Sequence, residues 1–306
     1  MSRHRENNYK YLKINNEYNN DLYYKILKYG FCSMVNSTLN AILFGLQERR
    51  RLIIDQTALP GGWSTYFNAH IPDGVLPDIG TYREEIELWG LIGWIIDLSK
   101  EDRPVSIPAL DLHGDLFSIM RRLAAIFCDR SLPSMPGTWR PARAIQAELG
   151  LEDGGYLACH VRQGDKIMGT PILGPDGGWS THVEGEYIPV SHYIRRARKI
   201  APDIKKIFVM TDDYAVIEEF RSQAKGFSIH TFCRSTDVGY HQNEFDRKSS
   251  DDQQAALLRF MEEVDVATNS QVFLGCYLSN VSRFIVLRHR EPEVCHSLDR
   301  IKRWMP

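Results

Sequence analysis

The sequence predicts an α/β fold in two lobes, and three observations carry that expectation. Through the second half, strand-like apolar runs alternate with amphipathic helical segments, the arrangement of a parallel sheet with crossover helices. Polar and charged residues recur directly after those runs, where open α/β sheets take ligands. At 306 residues the chain is also about twice the length of a modal domain.

Residues 1 to about 20 read as a polar arm rich in Asn, Lys and Arg, with no apolar stretch of the secretory-signal kind. The first lobe, residues 21–150, opens on a glycine turn at Gly30. Ser33 is a candidate cap for a helix whose apolar positions Val35, Leu39, Ile42, Leu43 and Leu46 share one face. Leu52–Asp55 reads as a short buried strand. Gly61-Gly62-Trp63 leads into Tyr66 and Phe67, a loop that can stack on a sugar or anchor itself in the core, anchoring being the simpler reading. Apolar stripes predict helices over Thr81–Lys100 and Asp115–Cys128, and a third over Thr138–Leu149, capped by Thr138 and ended by Gly150.

The second lobe, residues 151–306, starts with the strand Tyr156–Val161. A Gly- and Pro-rich loop over Gly169–Gly185 and a basic helix over His192–Ile200 follow. Then come a strand over Lys206–Met210, a helix over Tyr214–Ala224 and a strand over Phe227–Phe232. A polar loop, Cys233–Ser250, precedes a helix over Asp251–Ala267 that carries its acids at the positive end. Strand Gln271–Cys276, a turn at Tyr277–Asn280 and a helix through Arg288 complete the alternation.

Composition narrows the function. A formal net charge of -2 gives no global attraction to nucleic acid or to an anionic membrane surface. No apolar run approaches the length of a membrane span. The cysteines Cys32, Cys128, Cys159, Cys233, Cys276 and Cys295 are dispersed, without C-x-x-C spacing, and read as reduced core residues. A reducing, cytoplasmic setting is the expectation, with a Golgi or secretory form lacking its signal and stem as the alternative.

Three strand ends carry the chemistry. After the first come His160, Arg162 and Lys166; after the second, Asp212 and Asp213; after the last, Ser279 and Asn280. Cations suit phosphate, carboxylates suit the donor groups of a base or ribose, and a serine at a helix start adds a hydroxyl beside backbone N–H groups. A nucleotide diphosphate fits that set. The alternatives are plain: charges that keep a loop soluble, and an Asp212 that only caps the following helix.

These residues also carry a family resemblance. His160-Val161-Arg162-Gln163-Gly164-Asp165-Lys166 is similar to the HVRR-x-DK segment of core α1,6-fucosyltransferases and of the related Nod-factor fucosyltransferase. Gly61-Gly62-Trp63 with Phe67 resembles that family's GGWxxxF loop, and Phe208–Asp213 its YLATDD strand. Gly239-Tyr240-His241 with Asn243 resembles GLHN, Val272–Arg283 resembles FLVCTFSSQVCR, and His296-Ser297-Leu298-Asp299 resembles FHSLDD. The stretch through Arg288-His289-Arg290 is also similar to protein O-fucosyltransferases.

The resemblance implies a GT-B-like enzyme, two Rossmann-like lobes facing a cleft, that moves fucose from GDP-fucose with inversion and without a metal or other cofactor. The acceptor would be an oligosaccharide or glycoprotein hydroxyl, with no nucleic-acid partner. By the same resemblance Arg162, helped by Lys166 and His160, stabilises the leaving GDP; Asp212 and Asp213 lie near the donor; Glu263 reads guanine; Ser279 meets the phosphates, with Asn280 beside it at the strand end; Tyr193 lies beside donor or acceptor; and Gly30 and Phe31 fall in the first donor loop, where Phe31 and Cys32 replace the family's tyrosine and glycine. The family's second arginine is Gln163 here, and its Gly-Thr-Glu base is replaced by Gly169-Thr170-Pro171. Among the nearby acids Asp176, Glu184 and Glu186, Glu184 is the expected base. Two other expectations remain: a nucleotide-sugar or glycan binding protein that has lost catalysis, and a metal-dependent glycosyltransferase using Asp212-Asp213.

Overall fold

The computed structural model describes residues 21–26, 28, 30–47, 51–55, 57–62, 65–67, 91–97, 104–108, 115–128, 140–168, 170–173, 179–182 and 187–299. The expected arm over residues 1–20, the Thr138 cap and the candidate bases Asp176, Glu184 and Glu186 lie outside them. The chain divides into two compact units, Met1–Thr138 with Ser250–Leu258 and Arg303–Pro306, and Trp139–Ser249 with Arg259–Lys302.

In the first unit, strands β1 (Asp21–Lys25), β2 (Arg51–Asp55), β3 (Leu91–Asp97) and β4 (Pro104–Pro108) form a sheet in the order β2-β1-β3-β4. β1 runs parallel to β2 and antiparallel to β3. Helix α1 (Phe31–Gln47) buries Val35, Leu39, Ile42 and Leu43, as their spacing predicts, and α2 (Asp115–Cys128) packs beside it. Ser33 is not the cap. The helix starts at Phe31, and the Gly30 carbonyl accepts from the Ser33 and Met34 N–H groups at 2.9 and 3.1 Å, so Ser33 already lies inside the first turn.

The helix expected over Thr81–Lys100 is overturned where it is described: Leu91–Asp97 is a strand, paired with β1 and β4. Its sequence LIGWIID is almost continuously apolar and rich in β-branched residues, so the helical spacing was a coincidence within a run that suits a pleated strand better.

The second unit holds a five-stranded sheet in the order β11-β10-β5-β8-β9, built from β5 (Tyr156–Val161), β8 (Lys206–Thr211), β9 (Ser228–His230), β10 (Val272–Gly275) and β11 (Cys295–Ser297). Every neighbouring pair is parallel. All six residues of β5 are buried, as expected of a central strand covered on both faces. Leu157, Cys159 and Val161 face one core with α5 (Val190–Ile200) and α6 (Tyr214–Gln223). Tyr156 and His160 face the other, where the Tyr156 hydroxyl donates to the Val266 carbonyl of α8 (Ser250–Thr268) at 2.7 Å and His160 meets α9 (Asn280–Arg288).

Local chemistry sets the element ends. α3 (Ala142–Glu148) begins after its N-cap Pro141, not at the expected Thr138, and ends at Gly150, whose φ of 67° lets the Leu151 N–H return to the Gln146 carbonyl at 2.7 Å. A short helix, α4 (Asp165–Met168), precedes the Gly- and Pro-rich loop, which contains a hairpin of β6 (Thr170–Leu173) with β7 (Trp179–His182). The polar loop after β9 contains α7 (Gln242–Asp246).

Candidate functional site

The sheet order places a topological switch point between β5 and β10. From β5 the chain winds outward through β8 to β9, then returns to the opposite side of β5 for β10 and β11. A crevice opens outside the carboxyl ends at such a point. His160 lies near the end of β5 and Arg162 just beyond it, Asp212 follows β8, and α9 begins after the short turn that follows β10. The His160 Nδ1 lies 2.8 Å from the Ser282 Oγ, which ties the first turn of α9 to the end of β5. The positive end of a nine-residue helix therefore stands at the switch point, where an anion is favoured.

Arg162 is held on three sides. One terminal nitrogen donates to Asp212 Oδ2, the other to Asp165 Oδ1 at 2.6 Å, and the guanidinium lies 4.9 Å from the centre of the Tyr240 ring. All three charged side chains are mostly buried, at 14–17% exposure, so these contacts are little screened. Among the described side chains, Arg162 thus lies between two carboxylates. The arginine keeps its Nε–H and one N–H on each terminal nitrogen for a ligand.

Asp212 is not the cap of α6. Its Oδ1 accepts from the Gln163 N–H at 2.8 Å and its Oδ2 from the Tyr240 N–H at 2.9 Å as well as from Arg162, while its carbonyl accepts from the Gly239 N–H at 2.8 Å. It knots the ends of β5 and β8 to the 237–242 loop. Asp213 is the cap, accepting from the Ala215 N–H at 2.9 Å. Both acids thus have internal partners. Asp213→Ala is expected to lower stability by about 1 kcal/mol, the usual cost of losing a cap, with nucleotide binding unchanged; a denaturation curve beside a binding isotherm checks both.

Gly164 makes the knot possible. Its φ is 60°, and a Cβ there would overlap the Tyr240 carbonyl and stand 2.8 Å from the Tyr240 nitrogen. The Asp165 N–H donates to that carbonyl at 3.2 Å, and the Asp165 Oδ2 accepts from the Gln242 N–H at 3.1 Å.

His160 is 4% exposed, and burial, with the Arg162 charge, pushes its pKa down to about 3. It is a neutral imidazole at physiological pH, so the expected cationic help from His160 becomes help from a neutral ring. Ser279 caps α9, its Oγ accepting from the Val281 N–H at 3.3 Å, and Asn280 opens that helix. Tyr193 is a correction: at 1% exposure it belongs to the core, its hydroxyl 3.3 Å from the His160 carbonyl and 3.5 Å from the Cys276 Sγ. Phe31 in the first unit is also a core residue, 5.0 Å from the Tyr66 ring and 6.0 Å from that of Phe67, which bears out anchoring of that loop. The backbone of Lys166 lies in α4; its side chain is outside the described set.

At the far end of the same rim, Glu263 of α8 is 15% exposed and lies 3.7 Å from the Arg259 Nε, while Arg259 also donates to the Phe232 carbonyl after β9. Burial pushes Glu263 up to about 8, against the pull of Arg259. Burial, and then the charges of Asp237, Glu263, Asp212 and Asp213, push the pKa of Cys233 up to about 12. Among the described residues no group of three or more His, Cys, Asp or Glu side chains can hold a metal ion.

The HSLD segment is structural. Asp299, buried, accepts from the Leu278 N–H at 2.8 Å and the Ser297 hydroxyl at 2.6 Å, bracing the turn that aims α9. Sequence reasoning gave no role to Tyr240, Asp165, Gly275 or Ser282. Asp165 was visible as an acid three residues beyond Arg162; the other three acquire meaning only through segments distant in the chain.

No protein-family model matches the chain, and no curated protein matches it in sequence. Among solved structures it is similar to POFUT1 in complex with GDP-fucose, at 13% identity and a TM-score of 0.46, over 91% of this chain and 98% of that one. A second crystal form of that complex gives 11% and 0.43 over 92% and 98%, and the apo form gives 13% and 0.42 over 92% and 98%. The chain is an α/β protein with a five-stranded parallel sheet.

Proposed function

We propose that the protein is a GT-B-like glycosyltransferase that takes fucose from GDP-fucose. The observation that carries the reading is the convergence, at the switch point, of the α9 N-terminus, the neutral His160 and the braced Arg162. The ordered motif matches to the core fucosyltransferase family supply the nucleotide sugar, and the POFUT1 crystals hold that same donor.

In the proposed reaction an acceptor hydroxyl attacks the fucose anomeric carbon while Glu184 takes its proton. The bond to the β-phosphate oxygen breaks, and GDP leaves with its developing charge met by fixed N–H donors and Arg162. Glu263 would accept from guanine as a carboxylate. That last step makes a pH prediction. Below about 8 the empty site holds Glu263 protonated, so GDP binding must release a proton. Affinity for GDP should therefore rise with pH and level off above about 8, and titration calorimetry in buffers of different ionisation enthalpy should show that proton. A flat profile with no proton release removes Glu263 from the base site. The empty protein should behave oppositely. Its folded-state pKa lies above the unfolded value of 4.5, so the Glu263 contribution to stability falls as pH rises between the two.

A thermal-shift panel of GDP, UDP, ADP and CMP, with and without EDTA, tests the donor. A ligand at about 100 times its Kd should add about 2.7 kcal/mol, and only GDP should do so, EDTA or not. A preference for another base ends the fucosyltransferase reading, and an EDTA-sensitive shift favours the metal-dependent one. A second reading, a nucleotide-sugar or glycan binding protein without transfer, has one observation on its side: Arg162 already sits between two carboxylates. It predicts a GDP shift with no release of GDP from GDP-fucose in the presence of any acceptor.

A further inference from the structure

The buried serine behind the rim decides what His160 can offer. Ser282 is fully buried in the first turn of α9. Its Oγ accepts from the Cys276 N–H at 3.2 Å and lies 2.8 Å from the His160 Nδ1. Two arrangements of the hydrogens fit those distances. If Nδ1 carried the imidazole proton, the serine oxygen would accept twice and its own proton would be buried facing no acceptor among the described residues. If the serine donates to Nδ1, the backbone N–H, the hydroxyl and Nδ1 are all satisfied. The second arrangement avoids the cost of an unmade buried bond.

It leaves the imidazole proton on Nε2. Among the described residues that nitrogen has no hydrogen-bond partner, although the ring is almost wholly enclosed. Nε2 is not among the buried atoms left without a partner, so this N–H is open to a ligand oxygen or nitrogen. The neighbouring glycine completes the device: a Cβ on Gly275 would stand 2.5 Å from the Ser282 Oγ, so any larger residue at the end of β10 would push the hydroxyl away from the ring.

We propose that Ser282 is a positioning residue that holds His160 as its Nε2–H tautomer, so that a neutral N–H, with no competing acceptor among the described residues, is presented to the nucleoside diphosphate. Gly275 provides the space for it. This rests on the reading of the switch point as a diphosphate site, and the test separates the two. The neutral form fits the ring's depressed pKa, since neither burial nor Arg162 tolerates an imidazolium there.

The experiment is two-bond proton–nitrogen NMR on the full chain labelled with ¹⁵N at histidine, with His160 assigned by its absence in His160→Gln, recorded alone and with GDP. The wild type should show the Nε2–H form alone, and GDP should move that resonance. Ser282→Ala should redistribute His160 between tautomers and weaken GDP about tenfold, while the other histidines are unchanged. A wild-type ring protonated on Nδ1, or a tautomer that ignores the loss of the hydroxyl, overturns the proposal. The wild-type spectrum decides the tautomer even if Ser282→Ala does not fold. An Nε2–H form with no response to any nucleotide diphosphate would overturn the assignment of its acceptor and the diphosphate reading together, leaving the role of Ser282 in setting the tautomer intact.

Discussion

Arg162→Ala is expected to abolish stabilisation by GDP and to lower transfer about a thousandfold, the scale seen when a fixed donor to a developing anion is removed. The same change should destabilise the empty protein by about 3 kcal/mol. It removes a cation that pairs with both Asp165 and Asp212, two mostly buried carboxylates, and stripping one partner from a buried pair typically costs that much. The two effects are separable by working well below the variant's melting temperature and by adding Arg162→Lys. Lysine restores the charge and much of the stability, but it lacks the planar fork that spans two carboxylates and lies against Tyr240. It should recover folding far better than turnover. Wild-type turnover in Arg162→Ala would mean that the arginine braces the loop and takes no part in GDP departure.

The parts of this fold that were legible in the sequence are those whose chemistry is local. β5 is readable because a strand buried on both faces is apolar along most of its length, and α1 because its stripe repeats at helical spacing. Gly150 ends α3 as its residue type predicts, since only a residue at ease with positive φ closes that motif. β3 was not legible: in LIGWIID a helical stripe and a buried strand predict the same letters, and what decides is the presence of β1 and β4 on either side. β4 hides for another reason. Pro104 and Pro108 bracket it, and proline in a strand is tolerated at an edge, where β4 lies.

The site divides along the same line. Arg162, His160 and Asp212 were found because polar residues at strand ends are conspicuous. Their roles were not, because each is set by a partner far along the chain. Asp212 and Asp213 are adjacent in sequence and equally acidic, yet one knots three segments and the other caps a helix. Only the close passage of the 237–242 loop over the end of β5 distinguishes them. Tyr193 shows the converse: its resemblance to a residue beside the ligand says nothing about burial, and its hydroxyl lies beneath the sheet's end at the His160 carbonyl.

Gly164→Ala should be nearly as damaging as the loss of Arg162, by a route that touches no charge. The left-handed backbone at φ 60° costs an alanine about 1 kcal/mol or more, and the added methyl meets main chain on the other side. The Tyr240 carbonyl and nitrogen cannot rotate away as a side chain would, and Gly239 stands behind them: a Cβ on Gly239 would in turn lie 3.1 Å from the Gly164 Cα. The two glycines are therefore one device for bringing two loops into contact, and opening it breaks the Tyr240 N–H bond to Asp212 and the Asp165 N–H bond to the Tyr240 carbonyl. The expected loss is about 2 to 4 kcal/mol of stability, combining backbone strain with overpacking. GDP affinity should fall with it, because Arg162 then loses Tyr240 and its grip on Asp212 together. Gly164→Ala and Tyr240→Leu should consequently be less than additive in both readouts, since they disturb one contact. Full additivity, or a Gly164→Ala protein as stable as the wild type, would show that the loop does not pack on the strand end in solution and that Arg162 meets its ligand without that support.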